Sequence, residues 1–254
     1  MGRWRRTFRY PVDGRTIAAM MVSTLALTLA LLAPVAAAPD GCADVHIVGV
    51  RGSGQSSGFG EQVGRVVVGI EAALAARGIT VTSEALDYPA ISVSDSFGLV
   101  LLTGDYDRSV SAGVDALRTT LGTTAPSCRS PEFLLVGYSQ GAQVIKTALA
   151  DAEPTVPIAG VVLLADPTRD TTQKGIVRLG DPAIERDGAF GAIRLPHHVS
   201  AVAVDVCAVG DGVCERGRQS FAAHTDGYGD ASQLAVPYIL AELDSRLRFS
   251  RLPR

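Results

Sequence analysis

The stretch LLVGYSQGAQVI, Leu134–Ile145, decides the fold. An apolar run stops at Gly137, a lone Ser139 stands between Gly137 and Gly141, and apolar residues resume at once with helical spacing. The residues before it, EFLLVG, are apolar almost throughout, which marks a strand covered on both faces of a sheet; those after it read as a helix from about Gln140 to Ala150. A strand turning straight into a helix with a serine at the corner fits a nucleophile elbow. That turn is so sharp that the positions two before and two after the serine must be nearly free of side chain, and both are glycine here. The plainer alternative is a helix-capping serine with accidental glycines. The elbow would lift the hydroxyl clear of the sheet. It would also set the Gln140 amide at a helix N-terminus, where an unpaired N–H and the positive end of the helix dipole can meet a developing oxyanion.

Working outward, the same alternation repeats. ADVHIVGV from Ala43 is a short β-branched run that ends in the glycine-rich RGSGQSSGFG, and EQVGRVVVGIEAALAARG then has helical periodicity with a stop at Gly78. ITVTSEALDY alternates like a strand up to Pro89, and SVSAGVDALRTTLG reads as a helix closing at Gly122. IAGVVLLAD and HVSAVAVDVC read as further strands, and ASQLAVPYILAELDSRL as a terminal helix despite Pro237. Strands alternating with helices predict an α/β fold, a largely parallel sheet between two helix layers. Residues 167–198, rich in charge and glycine, receive no assignment, and no internal repeat is visible.

The N-terminus is compositionally foreign to the rest. Five arginines up to Arg15 precede an apolar run from Ile17 to Ala33, and small residues follow Pro34: the order of a secretory signal. Cleavage after Ala38 or Ala37 would leave one domain, residues 39–254; the alternative is an uncleaved membrane anchor, since the run approaches the ~20 residues needed to span a bilayer. Arg5 and Arg6 also suit a twin-arginine export signal, though weakly. Removing residues 1–38 takes away five arginines and one aspartate and moves the formal charge from −3 to −7, which argues against nucleic acid as a partner. Four cysteines remain, Cys42, Cys128, Cys207 and Cys214; in an exported chain an even count points to two disulfides among three possible pairings. Zinc needs closer spacing, with a CxxC or a nearby histidine, so no metal or cofactor is expected.

A serine hydroxyl is a weak nucleophile without a base and an acid to orient that base. Of four histidines, His46 falls inside the first strand, and His197 and His198 precede a strand at the amino edge of the sheet, opposite Ser139. His224, in FAAHTDGYGD after the last strand, is left as the base. Chain order in proteins with this elbow runs serine, acid, histidine, which makes Asp166, Asp205 and Asp211 candidates, with Asp170 and Asp181 less well placed. Asp166 begins an Asp-Pro pair that could be only a turn, and Asp205 lies within a strand. Asp211 lies in CAVGDGVC, a loop that a bridge between Cys207 and Cys214 would close tightly around the carboxylate, and it is the expected acid. Ser53, in the glycine loop after the first strand, stands where a second oxyanion donor belongs.

CADVHIVGVRGSG, GYSQGA, CAVGDGVC and the histidine shortly after together resemble the cutinase family of secreted serine esterases, including cutinase-like proteins of actinobacteria. The resemblance spans nearly the whole chain after residue 38. It implies a three-layer sandwich of the α/β-hydrolase type, with Ser139 as nucleophile, Asp211 as acid, His224 as base, and an oxyanion hole from Ser53 and Gln140. It also implies bridges Cys42–Cys128 and Cys207–Cys214, an ester or lipid substrate, a secreted or wall-associated monomer, and no stable membrane insertion. Two departures stand out. The family often has an aromatic residue three positions after the histidine, whereas Tyr228 is four after His224, and the charged stretch within 167–198 does not align. The alternatives are an esterase that deacetylates xylan and a secreted binding protein of this fold that has lost catalysis.

Overall fold

The computed structural model describes residues 43–93, 102–127, 131–151, 154, 156–180, 186–217 and 220–250. The leader of residues 1–38, Cys42, Cys128 and Asp181 lie outside them.

Among the described residues six strands form one sheet: β1 (Val45–Val50), β2 (Val81–Ala85), β3 (Glu132–Tyr138), β4 (Ile158–Leu164), β5 (Val177–Gly180) and β6 (Ala203–Cys207). Their order is β2-β1-β3-β4-β6-β5, and every neighbouring pair is parallel. The helices between them are α1 (Glu61–Ala75), α2 (Asp105–Ser127), α3 (Gln140–Asp151), the short turns α4 (His197–Ser200) and α5 (Phe221–Asp226), and the terminal α6 (Ala231–Ser250).

Alternation along β3 builds the three layers. Phe133 and Leu135 pack with Val110, Val114 and Leu117 of α2 and with Val144 and Ile145 of α3; Leu134 and Val136 pack on the other face with Val66 and Ile70 of α1 and with Ala235 and Ile239 of α6. Both faces of β3 and β4 are therefore covered, and these two strands are almost wholly buried. That is the physical reason for their near-continuous apolar sequence.

Local departures from the sequence reading have simple causes. Gly78 does end α1 and takes φ +69°, but Gly122 is an ordinary helical residue, so α2 continues to Ser127. Asp105 and Asp107 occupy its first turn, where carboxylates favour the positive end of the helix dipole, and α2 begins earlier than its apolar periodicity suggests. The run HVSAVAVDVC is divided: Pro196 opens the helical turn α4, and the strand begins only at Ala203. The unassigned stretch 167–198 contributes β5, a four-residue edge strand parallel to β6. Among the described residues no helix is long and apolar enough to cross a membrane.

Candidate active site

Ser139 occupies the corner between β3 and α3 with φ +53°, a left-handed backbone that costs a residue with a Cβ about 1 kcal/mol or more. Its amide donates to Leu164 O at 2.8 Å, which ties the corner to the end of β4. The flanking glycines are sterically required. A Cβ on Gly137 would stand 2.8 Å from the Ala142 amide nitrogen, and one on Gly141 would stand 2.0 Å from Val50 O and 2.6 Å from Arg51 O. The missing Cβ at Gly137 leaves room for the start of α3, and the one at Gly141 lets the loop after β1 press directly against the elbow. Gly52 continues that contact, since a Cβ there would lie 2.5 Å from the Tyr138 ring.

His224 lies on α5, whose N-cap Ser220 accepts from the Ala223 amide. Its Nε2 is 3.0 Å from Ser139 Oγ, and its Nδ1 is 3.0 and 3.1 Å from Asp211 Oδ2 and Oδ1. An ionised carboxylate can only accept, so Nδ1 carries the ring proton and Nε2 is left to accept from the serine hydroxyl. Asp211 is fully buried in the loop after β6, within the span of Cys207 and Cys214, which are at disulfide distance. Buried charge must be satisfied. Asp211 Oδ1 accepts from the Val213 amide at 2.8 Å, and Oδ2 accepts from the Tyr228 hydroxyl at 2.5 Å.

The other sequence candidates have separate partners. Asp166 accepts from buried Lys146 at 2.9 Å and from the amide and hydroxyl of Thr168; Asp205 lies 2.7 Å from Arg169; Asp170 pairs with Arg194. His46 bridges to Thr82 and Glu84 on β2, and His197 and His198 sit on α4 at the amino edge of the sheet. Among the described residues no three His, Cys, Asp or Glu side chains converge as a metal site requires.

Gln140 begins α3, so its backbone N–H has no intrahelical partner. Ser53 lies in the loop that packs on the elbow, and its hydroxyl donates to Ile91 O at 2.6 Å.

Two tyrosines in direct contact with these groups are given no role by the sequence, although Tyr228 stands out there for its position after His224. Tyr138 stacks on the His224 ring, with centroids 5.2 Å apart and 23° between planes, and its hydroxyl donates to His224 O at 2.6 Å. Tyr228 accepts from the Ala208 amide while donating to Asp211. Burial first, and then the negative charge of Asp211, holds the Tyr228 hydroxyl well above the ordinary tyrosine range, so it stays a donor. Tyr138 sits inside the motif itself, but nothing in its spacing says that its ring covers the histidine.

Residues 41–243 match the family model described as Cutinase. A cutinase of Botryotinia fuckeliana is 29% identical over 235 residues, spanning 89% of this chain and 96% of that protein. The carboxylesterase Culp1 of Mycobacterium tuberculosis is 32% identical over 156 residues, 61% of this chain and 65% of its own length. Among solved structures, an acetylxylan esterase determined at 0.90 Å superposes with a TM-score of 0.63 at 24% identity, covering 80% of this chain and 99% of that one.

Proposed function

The chain belongs to the cutinase family of ester hydrolases, and from that premise we propose that it cleaves carboxylic esters through an acyl-enzyme on Ser139. The observation that carries this reading is the position of one imidazole between a serine hydroxyl at 3.0 Å and a buried carboxylate at 3.0 Å, on a strained elbow.

Ser139 Oγ attacks the ester carbonyl carbon as its proton passes to His224 Nε2, and Asp211 stabilises the imidazolium through Nδ1–H. The carbonyl oxygen becomes an oxyanion facing the amides of Gln140 and Ser53. Collapse breaks the bond to the alcohol, which takes the proton from Nε2. Water then attacks the acyl carbon, gives its proton to Nε2, and the acid leaves as Ser139 recovers its own. Tyr138 restricts rotation of the ring, and Tyr228 fixes the carboxylate.

The substrate class is a cutin-like polyester, a lipid, or short- to medium-chain acyl esters. Relatives that are acetylxylan esterases, 28% and 30% identical over 142 residues, support a second reading, removal of acetyl groups from polysaccharide, which a panel of nitrophenyl esters of rising chain length together with acetylated xylan separates. Residues 1–38, in the order of a secretory signal, and the close approach of Cys207 to Cys214 support export to an oxidising compartment.

A fluorophosphonate probe should label the wild type and leave Ser139→Ala unlabelled, and that variant should lose on the order of 10⁴ or more in rate on a short-chain nitrophenyl ester. An unlabelled wild type would support the silent binding protein, and Ser139→Ala with most of its activity would sink the mechanism.

A further inference from the structure

Ser109 is a polar residue on an apolar helix face. It lies on α2 between Tyr106 and Val110, both of which face the core, and it is only 2% exposed. A buried hydroxyl costs free energy unless it is bonded, and a serine inside a helix commonly satisfies itself on the carbonyl one turn earlier. Ser109 reaches away from its own helix instead. Its Oγ accepts from the Ile91 amide at 3.2 Å and donates to Gln140 Oε1 at 3.1 Å.

Both contacts lead to the oxyanion groups. Gln140 is the residue whose backbone N–H begins α3, and its side chain is fully buried with Oε1 held by Ser109. Ile91 accepts on its carbonyl the hydroxyl of Ser53 at 2.6 Å, so the residue that Ser109 holds by its amide holds Ser53 by its carbonyl. The segment is further clamped by the Gly54 amide donating to Ala90 O at 2.7 Å, and Ala90 is held at φ +46°, a conformation that persists only where its surroundings enforce it.

We propose that Ser109 is a positioning residue of the oxyanion hole: one buried hydroxyl on α2 fixes the separation of the two donors by holding Gln140 directly and Ser53 through Ile91. The proposal rests on the esterase reading above and adds to it a residue that touches neither substrate nor triad. An oxyanion donor acts only at the transition state, so its displacement lowers kcat and leaves KM nearly unchanged.

The test is Ser109→Ala beside Gln140→Met, which cuts the same bond from its other end and keeps the backbone N–H. Each should lose about 10- to 100-fold in kcat with KM within about threefold, and each should bind a trifluoromethyl ketone, which forms a tetrahedral adduct on Ser139, more weakly by the same factor. The double variant should be no worse than Ser109→Ala, because the bond that Gln140→Met removes is one of the two that Ser109→Ala removes. Leu117→Ala, a fully buried change on the same helix, should lower the thermal midpoint yet keep kcat within about twofold. The proposal is overturned if folded Ser109→Ala keeps its kcat, if the two losses multiply, or if Leu117→Ala costs as much kcat. Should Ser109→Ala not accumulate as folded protein, Gln140→Met alone decides, and full kcat there overturns it. Wild type labelled by fluorophosphonate with Ser109→Ala at full rate fails this proposal alone; an unlabelled wild type fails the esterase reading.

Discussion

Asp211 is a carboxylate with no exposed surface, held by the Val213 amide, the Tyr228 hydroxyl and the His224 ring. A hydrogen bond to a buried charge is worth about 1.5–3 kcal/mol, and deleting the donor also leaves the Ala208 amide without the Tyr228 oxygen it now bonds. Tyr228→Phe should therefore lower kcat about 10-fold with little change in KM, and should cost about 1–3 kcal/mol in denaturant unfolding. Asp211→Asn should be far worse, about 10⁴ in kcat, because it favours the wrong imidazole tautomer. Equal rates for Tyr228→Phe and wild type would show that the hydroxyl only fills space. At this scale the sequence was informative where chemistry restricts residue type. Ser139 between its glycines, and His224 by elimination, could be named as candidates without coordinates, and they stand 3.0 Å apart. Tyr228 could not be given its partner, because it lies just past Gly227, where the end of α5 redirects the chain back onto Asp211.

The β3–α3 corner turns a steric argument into an experiment. Gly141→Ala would drive a methyl group to 2.0 Å from the backbone oxygen of Val50, which no side-chain rotation relieves. We expect loss of activity and a destabilisation of about 3 kcal/mol or more, read from the thermal midpoint. Gly122→Ala is the matched contrast: helical, with nothing within 4 Å of the added methyl, it should stabilise by about 0.5–1 kcal/mol. Elements were legible in proportion to burial. β3 and β4, covered on both faces, announce themselves as apolar runs. β5 is a half-buried edge strand of four residues in which Arg178 interrupts Val177 and Leu179, too short for a period of two to register. The single run from His198 to Cys207 hid a helical turn because α4 and β6 are both apolar where they meet the core.

Across the molecule, the parallel sheet and its two helix layers followed from the alternation of elements, but the order of its strands did not, because pairing between distant segments leaves no local trace. Neither did the buried ionic group beside the sheet, where Lys146 pairs with Asp166 and Arg169 with Asp205. Asp205 is the strained member. Burial outweighs the attraction of Arg169, Lys146 and Arg178, the nearby Asp166 adds repulsion, and the carboxyl is pushed from 3.8 up to about 6. Its Oδ1 has no hydrogen-bond partner, consistent with an anion poorly compensated there. The folded chain therefore holds this proton more tightly than the unfolded one. The resulting stability is complete below about pH 4 and lost as pH rises through about 6. Asp205→Asn stays neutral throughout, so its stability relative to wild type should improve by on the order of 2 kcal/mol between pH 4 and pH 7. Parallel stability curves would refute the assignment. Among the described residues no strand lies between Ala208 and Tyr228, and that stretch carries Asp211, His224, Cys214 and the Tyr228 hydroxyl, with Cys207 ending the strand before it. In terms of inheritance, these residues lie close enough along the chain to be exchanged together by a single recombination event, while Ser139 stays with the scaffold that shapes its corner.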